Sequence, residues 1–208
     1  MNNPTQADRA QDSCLNSGFW RTRLTTHGHT GWADSIIYAY DQQERLALIS
    51  QTVSKRSFGS GSALDFGCGT GDFSRLLLNK GLTVCGYDPF VKPNIRSKKF
   101  FYAEKYIDIR FHNHDADLAL SVTTLDHILD ENELLEGLRH IHSSLKTGGV
   151  FYILEYALDS VSDRKKGFQR SGYQAFRTVR EWNNLLEQTS FLIRACPKSG
   201  CFVIPRFA

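Results

Sequence analysis

Apolar and polar positions in this chain change period several times, and each change marks an element. Ala63-Leu64-Asp65-Phe66 is a short apolar strand. Three alternating glycines follow, Gly67, Gly69 and Gly71, and then the helix-compatible run Phe73-Ser74-Arg75-Leu76-Leu77-Leu78, closed by Gly81. Val84-Cys85-Gly86-Tyr87-Asp88 reads as a second strand, and Phe100-Phe101-Tyr102-Ala103 as a third. So few residues separate these two that the helix usual between parallel strands must be short or absent. Leu118-Ala119-Leu120-Ser121-Val122 gives a fourth strand. Asp130 then caps a helix, with Glu133 completing a capping box. Leu134, Leu138, Ile141 and Leu145 form its apolar face, and Gly148-Gly149 ends it. Val150-Phe151-Tyr152-Ile153-Leu154 is apolar throughout, as a buried central strand should be. Thr178 and Glu181 open a further helix around Trp182, Leu185 and Leu186. Residues 191–196 and 201–204, joined by Pro197-Lys198-Ser199-Gly200, read as a terminal hairpin.

The region upstream is less regular. Asp34 can cap a helix through about Ser50, with Ile37, Tyr40, Leu46 and Ile49 among its apolar positions. Residues 54–62 are a Gly/Ser-rich loop into the first strand. Residues 1–17 are polar and read as a loose tail. Residues 18–33 are rich in aromatic, His, Arg and Gly residues without a clean period.

Composition changes this picture little. The 208 residues, 41% apolar and 23% charged, suit one ordinary soluble domain. With a net charge of +3 and scattered Lys and Arg, no basic arm points to nucleic acid. No apolar run is long enough for a membrane span, and no signal peptide opens the chain, so a cytoplasmic setting is expected. The five cysteines include no C-x-x-C pair and read as small buried hydrophobes in a reducing compartment.

Strand, glycine turn and helix together open a nucleotide-binding α/β unit. Two acids choose the ligand. Asp72 stands where a dinucleotide fingerprint needs a small residue beside a pyrophosphate, so a phosphate would be repelled. Asp65 at the strand end suits a cation. A nucleoside without phosphates, carrying an ammonium and a sulfonium, meets both conditions, and S-adenosylmethionine is such a ligand. Asp88, about twenty residues beyond the glycines, lies where a carboxylate accepts hydrogen bonds from a ribose diol.

With these residues, from Asp65-Phe66-Gly67-Cys68-Gly69-Thr70-Gly71-Asp72 to Gly86-Tyr87-Asp88, the chain resembles the class I S-adenosylmethionine-dependent methyltransferases over roughly residues 35–208. The resemblance implies a Rossmann-like, doubly wound α/β sheet of seven strands with an antiparallel C-terminal hairpin. It also implies an N-terminal lid, here the 18–33 part of a 1–33 tail and lid segment, ahead of a methyltransferase domain at 34–208. Asp65, Gly67, Cys68, Gly69 and Gly71 would lie under the methionine part of the cofactor. Asp88 would hold the ribose, Pro89 and Phe90 would cover the adenine, and Glu104 would approach it from the third strand. Ser121 and Thr123 would lie near the transferring methyl.

His127, in Leu125-Asp126-His127-Ile128, either packs against the cofactor, acts as a base, or bonds structurally at a helix start. Glu155 and Tyr156 end the fifth strand at the acceptor rim. Arg177 can pair with an acceptor carboxylate or lie at the surface. Trp20, His29, Trp32, Tyr38 and Tyr40 can wall the acceptor pocket, and Arg21 or Arg23 can hold an acid group. The pairs His27/His29 and His112/His114 read as solvated loop residues, and no metal is expected.

The activity implied is methyl transfer to a small molecule, a metabolite that is amino-acid derived or a biosynthetic intermediate. The stretch before the first helix is long enough for a lid and too short for an RNA-binding module. The alternatives are methylation of tRNA or protein, or a non-catalytic module that binds the cofactor. Asp72 disfavours a dehydrogenase.

Overall fold

The computed structural model describes residues 18–111, 115–158, 174–195 and 201–205, with 194–195 and 201–205 as backbone. The expected tail at 1–17, the His112/His114 pair and the hairpin turn lie outside the described residues. Strands β1 (Ser62–Phe66), β2 (Thr83–Tyr87), β3 (Phe100–Ala103), β4 (Ala116–Val122) and β5 (Leu145–Leu154) pair in parallel. β9 (Cys201–Pro205) pairs antiparallel with β5 and with β8 (Arg194–Ala195). The sheet order is β3-β2-β1-β4-β5-β9-β8. The chain leaves β1 toward one edge and returns on its other side at β4. Ligands bind in such a switch-point crevice, outside the carboxyl ends of the strands. β6 (Ala157–Leu158) and β7 (Arg177–Thr178) form a separate two-stranded parallel pair.

Helices cover both faces, which is why the central strands are apolar on both sides. On one face, α2 (Ser35–Ser54) and α3 (Asp72–Asn79) bury Ile49, Val53, Phe73 and Leu77 over Val84, Leu118, Leu120 and Tyr152. On the other, α4 (Glu131–Ser144) and α5 (Val179–Gln188) bury Leu134, Leu138, Ile141, Trp182 and Leu186 over Phe66 and Phe151. Each fully buried side chain of this size contributes roughly 1.5–3 kcal/mol through removal from water. Residues 18–27 form a further helix, α1, ahead of α2.

The caps follow local chemistry. Asp34 accepts from the amides of Ile36 and Ile37, and Asp130 from those of Asn132 and Glu133. Thr178 and Glu181 form a reciprocal capping box. Two boundaries differ from expectation, and one connection follows it. α2 runs on to Ser54, and its N-terminal half projects, leaving Ile37 and Tyr40 exposed rather than in the core. α4 stops at Ser144, ahead of Gly148, because Leu145 is buried and pairs with Ala116 at the start of β5. Between β2 and β3 there is no helix at all. Part of that connection, Pro93 and Ile95, packs against Gly71.

Candidate active site

The floor of the site is backbone. Gly67, Gly69 and Gly71 have φ of 80°, 49° and 89°, a region that residues with a Cβ enter at a cost. The amides of Gly67 and Cys68 both donate to the Tyr87 carbonyl, at 2.7 and 2.9 Å, which ties the turn to the end of β2. Asp88, next along, lines the cavity. One of its carboxylate oxygens accepts from the amides of Phe90 and Val91, and the other from the amide of Gly69 at 2.9 Å. The carboxylate therefore fixes two loops as well as facing the cavity. Burial holds its pKa above the usual range, and the three amides pull the other way.

Asp72 opens α3 and lines the same cavity. It accepts from Gln42 Nε2 at 3.0 Å and Tyr38 Oη at 3.3 Å, and pairs with Arg75. A carboxylate therefore occupies the helix N-terminus where a phosphate would otherwise bind. The Cys68 thiol is pushed well up by burial and by the carboxylates of Asp65 and Asp88, so it stays protonated and inert.

β4 ends in strained backbone. Thr123 has φ 47°, unusual for a β-branched residue. Its amide donates to the Leu154 carbonyl at 2.7 Å. The amides of Thr124 and Leu125 donate to Glu155 Oε1 at 2.9 and 2.8 Å, which holds the turn in place. His127 follows in a short 3-10 turn, with Nε2 3.4 Å from the buried Asp126 carboxylate and the Trp20 ring edge-on to its own at 4.5 Å.

The walls are side chains. Tyr38, Asp41, Gln42 and Arg45 lie three and four residues apart on α2, so they share one face, and all four line the cavity. Arg45 donates to Thr123 Oγ1 at 2.9 Å and Tyr156 Oη at 3.0 Å, and pairs with Asp41 at 2.6 Å. Asp41 also accepts from Trp32 Nε1 at 2.8 Å. Phe19, Trp20, Arg23 and Thr30 approach from the 18–33 segment. The whole space is one cavity of about 620 Å³.

Of the residues expected at the site, Gly67, Cys68, Gly69, Asp88, Pro89, Phe90, Thr123, His127, Trp20, Arg23, Trp32 and Tyr38 line this cavity. Others stand elsewhere. Asp65 is fully buried and accepts from Ser74 Oγ at 2.6 Å, because its side chain points to the α3 face rather than the strand end. Ser121 is fully buried within β4. Gly71 serves packing, since a Cβ there would meet Pro93 and Ile95. Glu104 and Arg21 line a smaller outer cavity with Lys92 and Asp108. His29 is set against Tyr38, the two rings stacked 3.6 Å apart, and Tyr40 is 69% exposed on the far side of α2. Glu155 is buried behind the Thr123 turn. Arg177 is buried, donates to the Ile128 carbonyl at 3.0 Å, and packs over Trp182, so it holds backbone rather than a ligand. Arg45, Asp41 and Gln42 were missed, although their spacing with Tyr38 is a polar helical stripe legible in the sequence.

The chain matches the family model for a methyltransferase domain over residues 38–201. No curated protein matches the sequence. Among solved structures, it is similar to Burkholderia thailandensis 1,6-didemethyltoxoflavin-N1-methyltransferase, bound to 1,6-didemethyltoxoflavin and S-adenosylhomocysteine. The TM-score is 0.69 at 18% identity, covering 100% of this chain and 94% of that one. A SAM-dependent methyltransferase from Methanosarcina mazei gives a TM-score of 0.55 at 20% identity, covering 72% and 94%. Haemonchus contortus phosphoethanolamine N-methyltransferase 2, in complex with phosphomonomethylethanolamine and S-adenosylhomocysteine, gives 0.59 at 17% identity, covering 92% of this chain and 46% of that one. The chain belongs to the methyltransferase-domain family and is a class I methyltransferase, an enzyme dependent on S-adenosylmethionine. No described helix is long and apolar enough to cross a membrane.

Proposed function

We propose that the enzyme methylates a small-molecule acceptor held between the glycine turn and the α1–α2 wall. The observation that carries this reading is one continuous cavity, which runs from Asp88 and the glycines to Trp20, Trp32 and Tyr156. A space of this size suits a cofactor with a small partner. The acceptors named for the Burkholderia and Haemonchus enzymes are small molecules and support the same reading.

The residues fit a phosphate-free nucleoside that carries positive charge. Gly67 and Gly69 let it approach the backbone, Asp88 faces the ribose, and Pro89 and Phe90 cover the base. Asp72 excludes phosphate from the α3 N-terminus. When bound, S-adenosylmethionine supplies an already activated methyl group. The protein then contributes alignment and exclusion of water. Thr123 and His127 stand at the acceptor side. His127, set against Asp126, can take a proton from an acceptor that carries one.

The 18–33 segment acts as the lid over a 34–208 methyltransferase domain, a role supported by the Phe19, Trp20, Thr30 and Trp32 side chains that it supplies to the cavity. The free, buried Cys68 and Cys85 accord with a reducing, cytoplasmic setting.

Calorimetric titration with S-adenosylmethionine, S-adenosylhomocysteine and a nicotinamide dinucleotide tests the cofactor side. Binding of the first two alone is expected, followed by a mass gain of one methyl on a screened metabolite. Absence of any turnover across metabolite pools, with cofactor bound, would leave a non-catalytic module instead. Deleting residues 1–33 should spare cofactor binding more than turnover. Full activity without them would end the lid assignment.

A further inference from the structure

Two guanidinium groups line the cavity, and they are placed differently. Arg23 donates to the Gly31 carbonyl at 2.6 Å and lies over the Phe19 ring, so it serves the segment it belongs to. Arg45 reaches across the site to the ends of β4 and β5. It bonds there to Thr123, whose φ of 47° is unfavourable, and to Tyr156. Its side chain is 17% exposed. Tyr156 bonds to it, Trp32 shares its Asp41 partner, and Trp20 lines the same cavity, so the space beside the guanidinium has aromatic walls. The Leu154 carbonyl accepts from the Thr123 amide and Glu155 from the next two amides, Thr124 and Leu125, so the fork is aimed at a fixed point. Backbone strain persists where the surroundings over-determine it, and such residues cluster at binding sites.

Among the described residues, the carboxylate paired with Arg45 is Asp41, its i,i+4 neighbour on α2. A partly exposed pair of this kind is weak. Asp41 is also divided, since the same oxygen accepts from Trp32 Nε1. A guanidinium matches a carboxylate or phosphate in a planar, two-bond geometry better than it matches a shared neighbour on its own helix.

We propose that Arg45 is the specificity-determining cation of the acceptor site, and that the acceptor is an aromatic body carrying an oxyanion, carboxylate or phosphate. Asp41 is the internal stand-in that this anion displaces. The inference rests on the small-molecule reading above and names its substrate class. Displacement also frees a bond to Trp32, so acceptor binding is felt by the 28–33 segment.

The test uses the full-length protein saturated with S-adenosylhomocysteine. Benzoate, phenyl phosphate and the neutral benzamide are titrated into it, by calorimetry and by tryptophan fluorescence. Fragments of this size are read in the millimolar range. At least about tenfold preference for one anion over benzamide is expected, since a charge-assisted pair replaces a neutral contact. Whether benzoate or phenyl phosphate binds better tells carboxylate from phosphate. Arg45→Met should abolish the preference while changing S-adenosylhomocysteine affinity less than about threefold. Arg45→Lys should retain part of it, and Asp41→Asn should strengthen anion binding severalfold by removing the competitor.

Equal binding of benzamide and both anions to the unmodified protein overturns the proposal, as does a preference that survives Arg45→Met. If Arg45 is only a tether for α2, the Met variant weakens all three probes alike and the Asn variant does not tighten the anions. Loss of S-adenosylhomocysteine binding by the unmodified protein would instead sink the cofactor assignment, so the two failures are distinct.

Discussion

The two ends of the cavity are built by different means. At the end we assign to the cofactor, backbone does the shaping: glycines at positive φ, amides on Asp88 and a carbonyl that gathers two N–H groups. This end rests on buried strands. At the end proposed for the acceptor, long side chains on α1 and α2 do the shaping, and the first half of α2 is largely outside the core, with Ile36 79% exposed. A backbone-built site tolerates almost no substitution, whereas a side-chain-built one can be changed without unfolding the protein. The contrast separates what a methyltransferase must keep from what it is free to vary.

The strongest way to break this contrast is at Gly67. Its φ is 80°, and a Cβ would run into the Thr124 side chain. Gly67→Val should cost on the order of 3 kcal/mol or more and abolish S-adenosylhomocysteine binding. Urea unfolding and calorimetry measure the two losses. A folded variant with normal affinity would show that the turn is not a rigid floor.

Within α2 the difference can be measured on one helix. Ile49 is fully buried and Ile36 is not, so Ile49→Ala should cost about 2–5 kcal/mol and Ile36→Ala under about 0.5 kcal/mol. Similar losses at both ends, by chemical denaturation, would mean that the projecting half is covered in solution.

Asp65 probes the buried layer behind the glycine turn through pH. Burial holds its carboxyl at about 7, against its ordinary 3.8. Between those values the folded state keeps a proton that the unfolded chain has released. Stability from this group is therefore lost as pH rises through the window, by at most roughly 4 kcal/mol. Asp65→Asn, which can still accept from Ser74, should flatten the slope of stability between about pH 4 and 7. An unchanged slope would mean that the group is ionised in the fold.

Asp88→Ala should weaken S-adenosylhomocysteine by about 1–3 kcal/mol. It should also destabilise the unliganded protein, because three amides lose their acceptor. Asp88→Asn should cost less on both counts. Unchanged affinity in folded Asp88→Ala would refute the ribose role.

How much of this was legible follows from the same contrast. The glycine turn, Asp88 and the parallel order of strands could be read from residues 63–154, since each depends on a local pattern. The third strand was read correctly despite its missing helix, because Phe100–Ala103 is apolar by itself. What failed was direction. Asp65 and Ser121 lie on strands at the right height but point into the layers beside them. Arg177 reads as a surface residue until β7 is seen folded beneath Ile128. Arg45 sits in a helix whose apolar positions gave a poor guide to its buried side, and only the cavity showed which face mattered. Tyr38 and Tyr40 make the point in two residues. Both are aromatic, yet one turns in and the other out.

The stripe of Tyr38, Asp41, Gln42 and Arg45 has a consequence for how this enzyme can diversify. Because the positions are fixed by helical phase, deleting a single residue between Arg45 and Ile49 would swing the set by about 100° out of the cavity, if the buried end at Ile49 stayed put. Length in this stretch is therefore frozen, while identity is not. A library that varies these four codons and keeps every spacing would explore new acceptors on an unaltered chassis.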